Sequence, residues 1–186
     1  MADDDRERWN ERYGRSADPA ARPIIPAVPI DFADHAHRFP TSGRALEPAC
    51  GTGAGSLWLA GRGLDVTGVD VSSVAVDVAT AAARRLDLAD RCRFVVADLD
   101  DGLPDTPPVD LIMCHRFRNP TLYEPMVARL AVGGVLAIAV LSEVGSAPGR
   151  FRAVPGELRE AFGDRLDVLV DSEGAGTAVL IGIKSG

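Results

Sequence analysis

The sequence predicts an α/β fold: a doubly wound sheet of about seven strands, mostly parallel, with a C-terminal antiparallel hairpin and with helices on both faces. The first supporting observation is that, from residue 44 onward, short apolar runs alternate with helical segments, which favours a parallel sheet with right-handed crossovers. The second is that residues 165–184 contain two strand-like runs around a glycine-containing turn, which indicates a hairpin. With 186 residues, of which 46% are apolar, the chain is long enough to bury one core.

Each element follows from a local pattern. Residues 3–13 have a helical pattern in which Trp9 and Tyr13 share one face. Prolines at 19, 23, 26 and 29 then favour an extended chain, and a short helix follows from Pro29. We expect strands at 44–50, 64–72, 91–99, 108–117 and 135–142, and helices at 53–63, 72–89, 121–134 and 155–163. We interpret residues 1–186 as a single domain, in which residues 1–43 form an N-terminal helix and a proline-rich lid and residues 44–186 form the core.

Charge and cysteine content limit the class of protein. The formal net charge is −7 and the arginines are scattered, so the sequence predicts a small-molecule partner and no nucleic acid. No apolar run approaches the roughly 18 residues of a membrane span. The acidic N-terminus is unlike a signal peptide, and we therefore expect a cytoplasmic location. The cysteines at positions 50, 92 and 114 are too widely spaced for a zinc site or a disulfide framework, and we expect no metal. The sequence does not indicate an oligomeric state.

The segment EPACGTGAGS, residues 47–56, contains a glycine at every second position, at Gly51, Gly53 and Gly55. It follows a predicted strand and precedes a predicted helix, which is how a doubly wound sheet binds a nucleotide-like ligand. Glycines permit a tight turn and a close approach of the backbone, and the start of the helix offers free N–H groups. The spacing differs from the G-x-G-x-x-G pattern of dinucleotide sites, so the loop by itself is a weak signal.

Three acidic residues lie at the carboxyl ends of the first three predicted strands, where open α/β sheets bind ligands. Asp70, about 20 residues beyond the first glycine, is placed to accept both hydroxyls of a ribose. Asp98 is placed to accept a hydrogen bond from an exocyclic amine such as that of adenine, and Glu47 to face an ammonium group. The alternatives are that Asp70 is a helix N-cap, that Asp98 forms a turn with Asp100 and Asp101, and that Glu47 is an exposed loop acid.

These motifs together resemble a known family. Residues 47–55, 68–70, 97–99, 110–112 and 130–134 resemble the successive motifs of class I S-adenosylmethionine (SAM)-dependent methyltransferases, whose sheet is Rossmann-like. The segment RWNERYGRSADP, residues 8–19, resembles the entry segment of the tellurite-resistance and thiopurine-type small-molecule methyltransferases, and residues 149–162 resemble their late segment. The resemblance implies SAM as cofactor and S-adenosylhomocysteine (SAH) as product.

The resemblance also implies a set of site residues. The glycine loop would approach the methionine part of SAM, Asp70 would hold the ribose, and His115 would lie where the methyl group leaves. Val71 and Leu99 would contact the adenine, Asp98 its amine, and Glu47 and Gly51 the amino group. The residues implied to bind the cofactor are Trp9, Arg12, Tyr13, Glu47, Gly51, Gly53, Gly55, Asp70, Val71, Asp98 and Leu99.

The expected reaction is methyl transfer to an oxygen, sulfur or nitrogen atom of a small, partly apolar acceptor. Such an enzyme acts mainly by positioning the acceptor and excluding water, and it needs a general base only if the acceptor must lose a proton. His115 is the candidate base, and its alternative role is a hydrogen-bonded strand-end residue that shapes the pocket. A SAM-binding module without activity and a nicotinamide-dependent oxidoreductase are the alternative functions.

Overall fold

The computed structural model describes residues 2–15 and 23–186 of the chain. These residues cluster into two compact units, one formed by Met1–Pro29 and Thr41–Pro104 and the other by Ile30–Pro40 and Asp105–Gly186. Residues 16–22, which include Pro19 and part of the predicted lid, lie outside the described residues.

The first unit contains three parallel strands and three helices among its described residues. The elements are α1 (Ala2–Gly14), β1 (Arg44–Pro48), α2 (Ala54–Gly61), β2 (Asp65–Asp70), α3 (Ser73–Arg85) and β3 (Cys92–Val96), followed by a 3-10 turn at Leu99–Asp101. β2 lies between β1 and β3 and pairs in parallel with both. The N-cap of α3 is Ser72, whose hydroxyl accepts the Ala75 N–H at 3.2 Å. The alanines that α3 buries recur at helical spacing, so its apolar face packs closely against the rest of the first unit.

The second unit contains the remaining strands. Its elements are a 3-10 helix (Ile30–Arg38), β4 (Val109–His115), a 3-10 turn (Pro120–Leu122), α4 (Tyr123–Arg129), β5 (Leu130–Leu141), α5 (Glu157–Phe162), β6 (Asp167–Gly174) and β7 (Thr177–Ile183). β4 pairs with β5 in parallel, whereas β7 runs antiparallel to both β5 and β6. Residues 135–140 of β5 are all buried, as is typical of a strand covered on both faces.

Within the described residues, the seven strands form one mixed sheet in the order β3-β2-β1-β4-β5-β7-β6. The predicted α/β fold, with its mostly parallel sheet and C-terminal antiparallel hairpin, is therefore confirmed. No helix in the described part of the chain is long and apolar enough to cross a membrane. The same residues contain no cluster of three or more His, Cys, Asp or Glu side chains that could hold a metal ion.

One predicted boundary is wrong. The helix expected at 121–134 ends at Arg129, and Leu130 has an extended backbone with φ −67° and ψ 139°. Leu130 pairs with Val109 at the start of β4, so residues 130–134 belong to β5. The cause is a contact that is distant in the sequence, together with Gly133, whose φ of +80° is incompatible with continuing a helix. The short helix expected after Pro29 is present, but as a 3-10 helix.

Candidate functional site

The glycine loop connects β1 to α2 in the first unit. Gly51 and Gly53 both adopt left-handed backbone conformations, with φ values of +54° and +80°. A Cβ atom at Gly53 would lie 2.8 Å from the Cβ of Ala79 and 2.9 Å from Cζ of Phe94. Contacts of this length are too short for real Cβ atoms, so the packing of the loop against α3 and β3 already requires glycine at position 53.

Asp70 ties the end of β2 to the glycine loop. Its side chain is buried, and Oδ2 accepts the Gly51 N–H at 2.8 Å while Oδ1 accepts the Ser72 N–H at 2.9 Å. Burial raises the pKa of Asp70, and the hydrogen bonds from the backbone oppose that rise. Because each carboxylate oxygen has about two lone-pair sites, each retains capacity for a further donor such as a ribose hydroxyl. The N-cap alternative is excluded for Asp70, since Ser72 is the N-cap of α3.

Glu47 lies inside the first unit, with only 5% of its surface exposed. The Ser56 hydroxyl on α2 donates a short hydrogen bond to its Oε2. Burial raises the pKa of Glu47 to about 7, although the bond from Ser56 acts in the opposite direction. The exposed-acid alternative is therefore wrong. In the described part of the chain no cation is hydrogen-bonded to this carboxyl group, which makes it complementary to an ammonium group.

Asp98 follows β3 by two residues. Its Oδ1 accepts the Asp100 N–H at 2.9 Å. This hydrogen bond forms the turn that was the alternative role predicted for Asp98. Leu99, the next residue, is buried, and Val71 after β2 is half-buried. Asp98 keeps a second oxygen that has no partner among the described residues.

The first helix packs beside the glycine loop in the same unit. The Trp9 and Tyr13 rings stack with centroids 5.7 Å apart, which confirms their predicted common face. A Cβ atom at Gly51 would lie 2.8 Å from the Tyr13 hydroxyl, so this ring lies directly against the loop. Burial and the negative charge of Asp70 raise the pKa of Tyr13 to about 12. Arg12 is exposed, and its guanidinium lies 5.1 Å from the Trp9 ring centroid.

Asn10, on α1, holds that helix in place. Its Oδ1 accepts the Ser72 hydroxyl proton at 2.7 Å and, more weakly, the Val74 N–H at 3.5 Å. Since Ser72 also caps α3 and lies two residues after Asp70, the position of α1 is linked to the end of β2.

His115 is the last residue of β4, in the second unit. Its Nε2 lies 2.7 Å from Oδ2 of Asp31 in the 3-10 helix, and the ring of Phe32 packs edge-on against the imidazole with centroids 5.9 Å apart. Burial lowers the pKa of His115, and the hydrogen bond to Asp31 partly opposes that change. The imidazole is therefore neutral at pH 7 and is able to take up a proton.

A second polar cluster in this unit fixes the chain after β4. Arg118 donates two hydrogen bonds to Glu157, at 2.8 Å from Nε and 2.7 Å from Nη2, and the Tyr123 hydroxyl donates a third at 2.8 Å. The Val154 N–H also donates to this carboxylate at 3.2 Å. The charge of Arg118 is therefore matched inside the protein, and the cluster joins residues 118–123 to the start of α5.

Sequence reasoning missed four residues that hold this arrangement: Asn10, Asp31, Ser56 and Glu157. Ser56 had a usable signal, because it lies on the first turn of a predicted helix beside the glycine loop. For Asp31 and Glu157 the partners are 84 and 39 positions away, and no local pattern indicates such contacts.

Comparisons with known proteins agree with this geometry. Residues 45–134 match the family model for a methyltransferase domain. A search of curated proteins finds no match. Among solved structures, TehB from Haemophilus influenzae has a TM-score of 0.75 at 18% identity, covering 95% of this chain and 67% of that chain.

Two further structures extend over nearly the whole chain. Geranyl diphosphate C-methyltransferase from Streptomyces coelicolor, solved with Mg²⁺, geranyl diphosphate and S-adenosyl-L-homocysteine, has a TM-score of 0.70 at 16% identity, covering 99% of this chain and 97% of that chain. DhpI, in its SAH complex, has a TM-score of 0.70 at 21% identity, covering 100% of this chain and 97% of that chain. At these identities the likeness shows the fold.

The matched segment contains the residues that fit the cofactor. It includes the glycine loop, the buried Glu47, which has no cationic partner in the described part of the chain, and Asp70 with unused acceptor capacity. An ammonium group and a ribose diol are the groups that these carboxylates would satisfy. The family match does not support the nicotinamide alternative. Residues 45–134 thus match a methyltransferase domain, the chain shares its fold with TehB and with the two SAH-bound structures, and the carboxylates of the site fit SAM as the cofactor.

Proposed function

We propose that this enzyme transfers the methyl group of SAM to an oxygen, sulfur or nitrogen atom of a small, partly apolar acceptor. The observation that carries the proposal is the segment between β5 and α5, which exposes Phe151 and Val154, each 51% accessible. The segment is held in place by Arg152, whose Nη1 donates to the carbonyl oxygens of Ser142 at 2.7 Å and Gly176 at 3.2 Å. Apolar side chains on an anchored loop are suited to recognising an apolar surface.

The residues of the first unit have proposed roles toward the cofactor. When bound, SAM supplies a methyl group on a positively charged sulfur, which keeps the electron pair of the broken bond. We assign Glu47 and Gly51 to the amino group, Asp70 to the ribose hydroxyls, and the glycine loop to the methionine part. We further assign Val71 and Leu99 to the adenine ring and Asp98 to its amine. Gly53 and Gly55 are assigned to the close approach of the loop. Trp9, Arg12 and Tyr13 are assigned to closure over the cofactor.

We also propose that residues 1–186 act as a single methyltransferase domain.

His115 is proposed as the group that takes a proton from the acceptor. Its support is the pairing with Asp31 and a lowered pKa, which keeps the imidazole unprotonated at neutral pH. We expect His115→Gln to lower kcat by about 100-fold or more for an acceptor that must lose a proton, because general bases contribute factors of this size. SAH affinity, measured by calorimetry, should be unchanged.

The proposed size of the acceptor is supported by the connections after β4 and β5 and by the net charge of the protein. The connection that leaves β4 is short, with residues 116–122 before the next α-helix, and the connection that leaves β5 spans residues 142–156 without a further domain between these strands and helices. With a net charge of −7, the protein also repels nucleic acid at long range. A small molecule is therefore the proposed partner, and the cytoplasmic location stays a prediction.

The test is an SAH-release assay with a panel of small phenols, thiols, amines and carboxylates, compared with RNA and denatured protein as acceptors. The proposal expects turnover with at least one small acceptor that carries an apolar ring or chain, and reduced turnover when Phe151→Ser and Val154→Ser are combined. Exclusive turnover of RNA or protein would contradict it. Tight SAH binding without turnover of any acceptor would favour the alternative of a SAM-binding module.

A further inference from the structure

The imidazole of His115 is held from three directions within the second unit. The residue pairs with Ala139 of β5, and the following peptide N–H, that of Arg116, donates to the Ala139 carbonyl oxygen at 2.7 Å. The buried Phe32 ring lies edge-on to the imidazole, and Phe39 packs on Phe32 with centroids 5.9 Å apart. A histidine fixed at its backbone and its ring has little freedom to reorient, as a positioned proton acceptor requires.

Asp31 supplies the third constraint and determines which ring nitrogen is available. The side chains of His115 and Asp31 are 24% and 18% exposed, and the 2.7 Å contact joins Nε2 to Oδ2. A neutral imidazole has one N–H and one lone pair, and a carboxylate accepts only. The proton of the neutral ring therefore lies on Nε2, toward Asp31, and the lone pair lies on Nδ1, which has no hydrogen-bond partner among the described residues.

We propose that Asp31 is a positioning residue that acts through His115, holding the imidazole in the Nε2–H form so that Nδ1 takes the proton of the methyl acceptor. The inference rests on the proposed function, and specifically on His115 as the base. It adds a residue 84 positions away in the chain, the atom that accepts the proton, and a restriction on the acceptor.

The chemistry restricts the acceptor to groups that have a proton to lose. The bond between the acceptor heteroatom and its hydrogen breaks, the proton binds Nδ1, and the electron pair stays on the heteroatom to form the bond to the methyl carbon. The resulting imidazolium is stabilised by Asp31 at 2.7 Å. A hydroxyl, thiol or protonated amine benefits from this step, whereas an acceptor that is already deprotonated gains nothing from it.

Two charged groups face the ring and act in opposite directions. Asp31 favours the imidazolium, and the neighbouring Arg116 disfavours it. Arg116 lies near the same carboxylate oxygen, with Nε 3.9 Å from Oδ2 of Asp31, and has a left-handed backbone with φ +57°. Such a conformation is uncommon for a residue other than glycine and is often found at functional sites. The groups that pack on the ring from the other elements, Phe32 and Ala139, are uncharged.

The first test needs no acceptor. In ¹⁵N-histidine-labelled protein at pH 8, we expect the neutral His115 to show a protonated Nε2 and an unprotonated Nδ1 by ¹⁵N NMR. We expect Asp31→Asn to lower the pKa of His115 by about one unit or more, since a nearby opposite charge shifts a pKa by this amount. Asp34→Asn, an exposed site on the same 3-10 helix, is the matched control and should leave that pKa unchanged.

The second test separates a positioning role from a purely structural tie between the 3-10 helix and β4. We expect Asp31→Asn to lower kcat at least tenfold with little change in the KM for SAM, and to move the acidic limb of the pH–rate profile together with the NMR-derived pKa. Asp31→Glu should restore part of the rate. In a pair of phenols, the loss should be large when the phenol pKa is near 10 and small when it lies below the assay pH.

Several results would overturn the inference. One is a wild-type ring whose neutral form carries its proton on Nδ1, which requires no variant to observe. Another is a pH–rate profile that is unchanged in Asp31→Asn while His115→Gln is inactive. If instead His115→Gln retained full turnover, the proposed base role itself would fail, whatever the NMR of Asp31→Asn shows.

Discussion

Glu47 illustrates how a single residue links folding to cofactor binding. Its carboxyl group is almost fully buried and is hydrogen-bonded to Ser56. Because burial raises its pKa from 4.5 to about 7, the folded state without cofactor holds the proton more tightly than the unfolded chain does. The contribution of the protonated Glu47 side chain to folding stability is complete below pH 4.5 and is lost as the pH rises through about 7. An ammonium group beside the carboxylate would offset the free-energy cost of burying the charged form of Glu47.

We therefore predict that Glu47→Gln stabilises the cofactor-free protein at pH 8 by up to about 3 kcal/mol, the equivalent of the pKa shift at 1.36 kcal/mol per unit. The gain should disappear near pH 4.5, where the wild-type side chain is protonated in both states. Urea unfolding at several pH values measures the difference between the two proteins. The same substitution should weaken SAH binding. A stabilisation that is constant over this pH range would contradict the assigned pKa.

At the scale of elements, the glycine loop and the helices beside it form a unit whose packing is set before any ligand binds. Gly53 is enclosed by Ala79 of α3 and Phe94 of β3, and Gly51 is covered by Tyr13 of α1. The need for glycine at position 53 is thus a requirement of the protein's own packing. The glycine pattern alone predicts only that a ligand approaches the loop closely, and it gives no sign of this internal contact.

We predict that Gly53→Ala lowers the free energy of unfolding by about 2–4 kcal/mol, because it adds the strain of a left-handed alanine to an overpacked contact. Gly61→Ala is the matched control, since Gly61 lies at the end of α2 and a Cβ atom there meets nothing within 4 Å. That variant should be neutral or more stable by up to about 1 kcal/mol. Urea denaturation measures the free energy of unfolding of both variants, provided that their m-values are unchanged. Equal effects of the two substitutions would count against the packing argument.

The docking of α1 is the second property at this scale. Asn10 accepts the Ser72 hydroxyl proton at 2.7 Å, so we predict that Asn10→Ala loosens α1 and speeds tryptic cleavage at Arg12 about fivefold, as expected for one lost hydrogen bond. Glu11→Ala, at an exposed position on the same helix, should leave the rate of cleavage unchanged. SAH should slow cleavage of the wild type if α1 closes over the cofactor. Cleavage that is insensitive both to Asn10→Ala and to SAH would rule out this role for the helix.

At the scale of the whole molecule, local sequence patterns were sufficient for the order and type of the elements. The buried strands appear as continuous apolar runs, and Ser72 marks the start of α3 by its capping chemistry. The error at residues 130–134 arose because Leu130 pairs with Val109, and the Gly133 N–H donates to the Lys184 carbonyl oxygen, contacts that no local window contains. The candidate acids were found because strand ends are local features, whereas Asp31 is brought to His115 by the tertiary fold alone.

The central claim, that this chain binds SAM through Asp70, is tested most directly by calorimetric titration of the purified protein with SAM and SAH. Wild type should bind, and Asp70→Asn should weaken SAH binding by about 10- to 100-fold, because hydrogen bonds to a charged group contribute about 1.5–3 kcal/mol. Asp65→Asn, at the exposed opposite end of the same strand, should bind like the wild type. Absence of SAH binding by the wild type, or equal affinity of the wild type and a folded Asp70→Asn variant, would contradict the account.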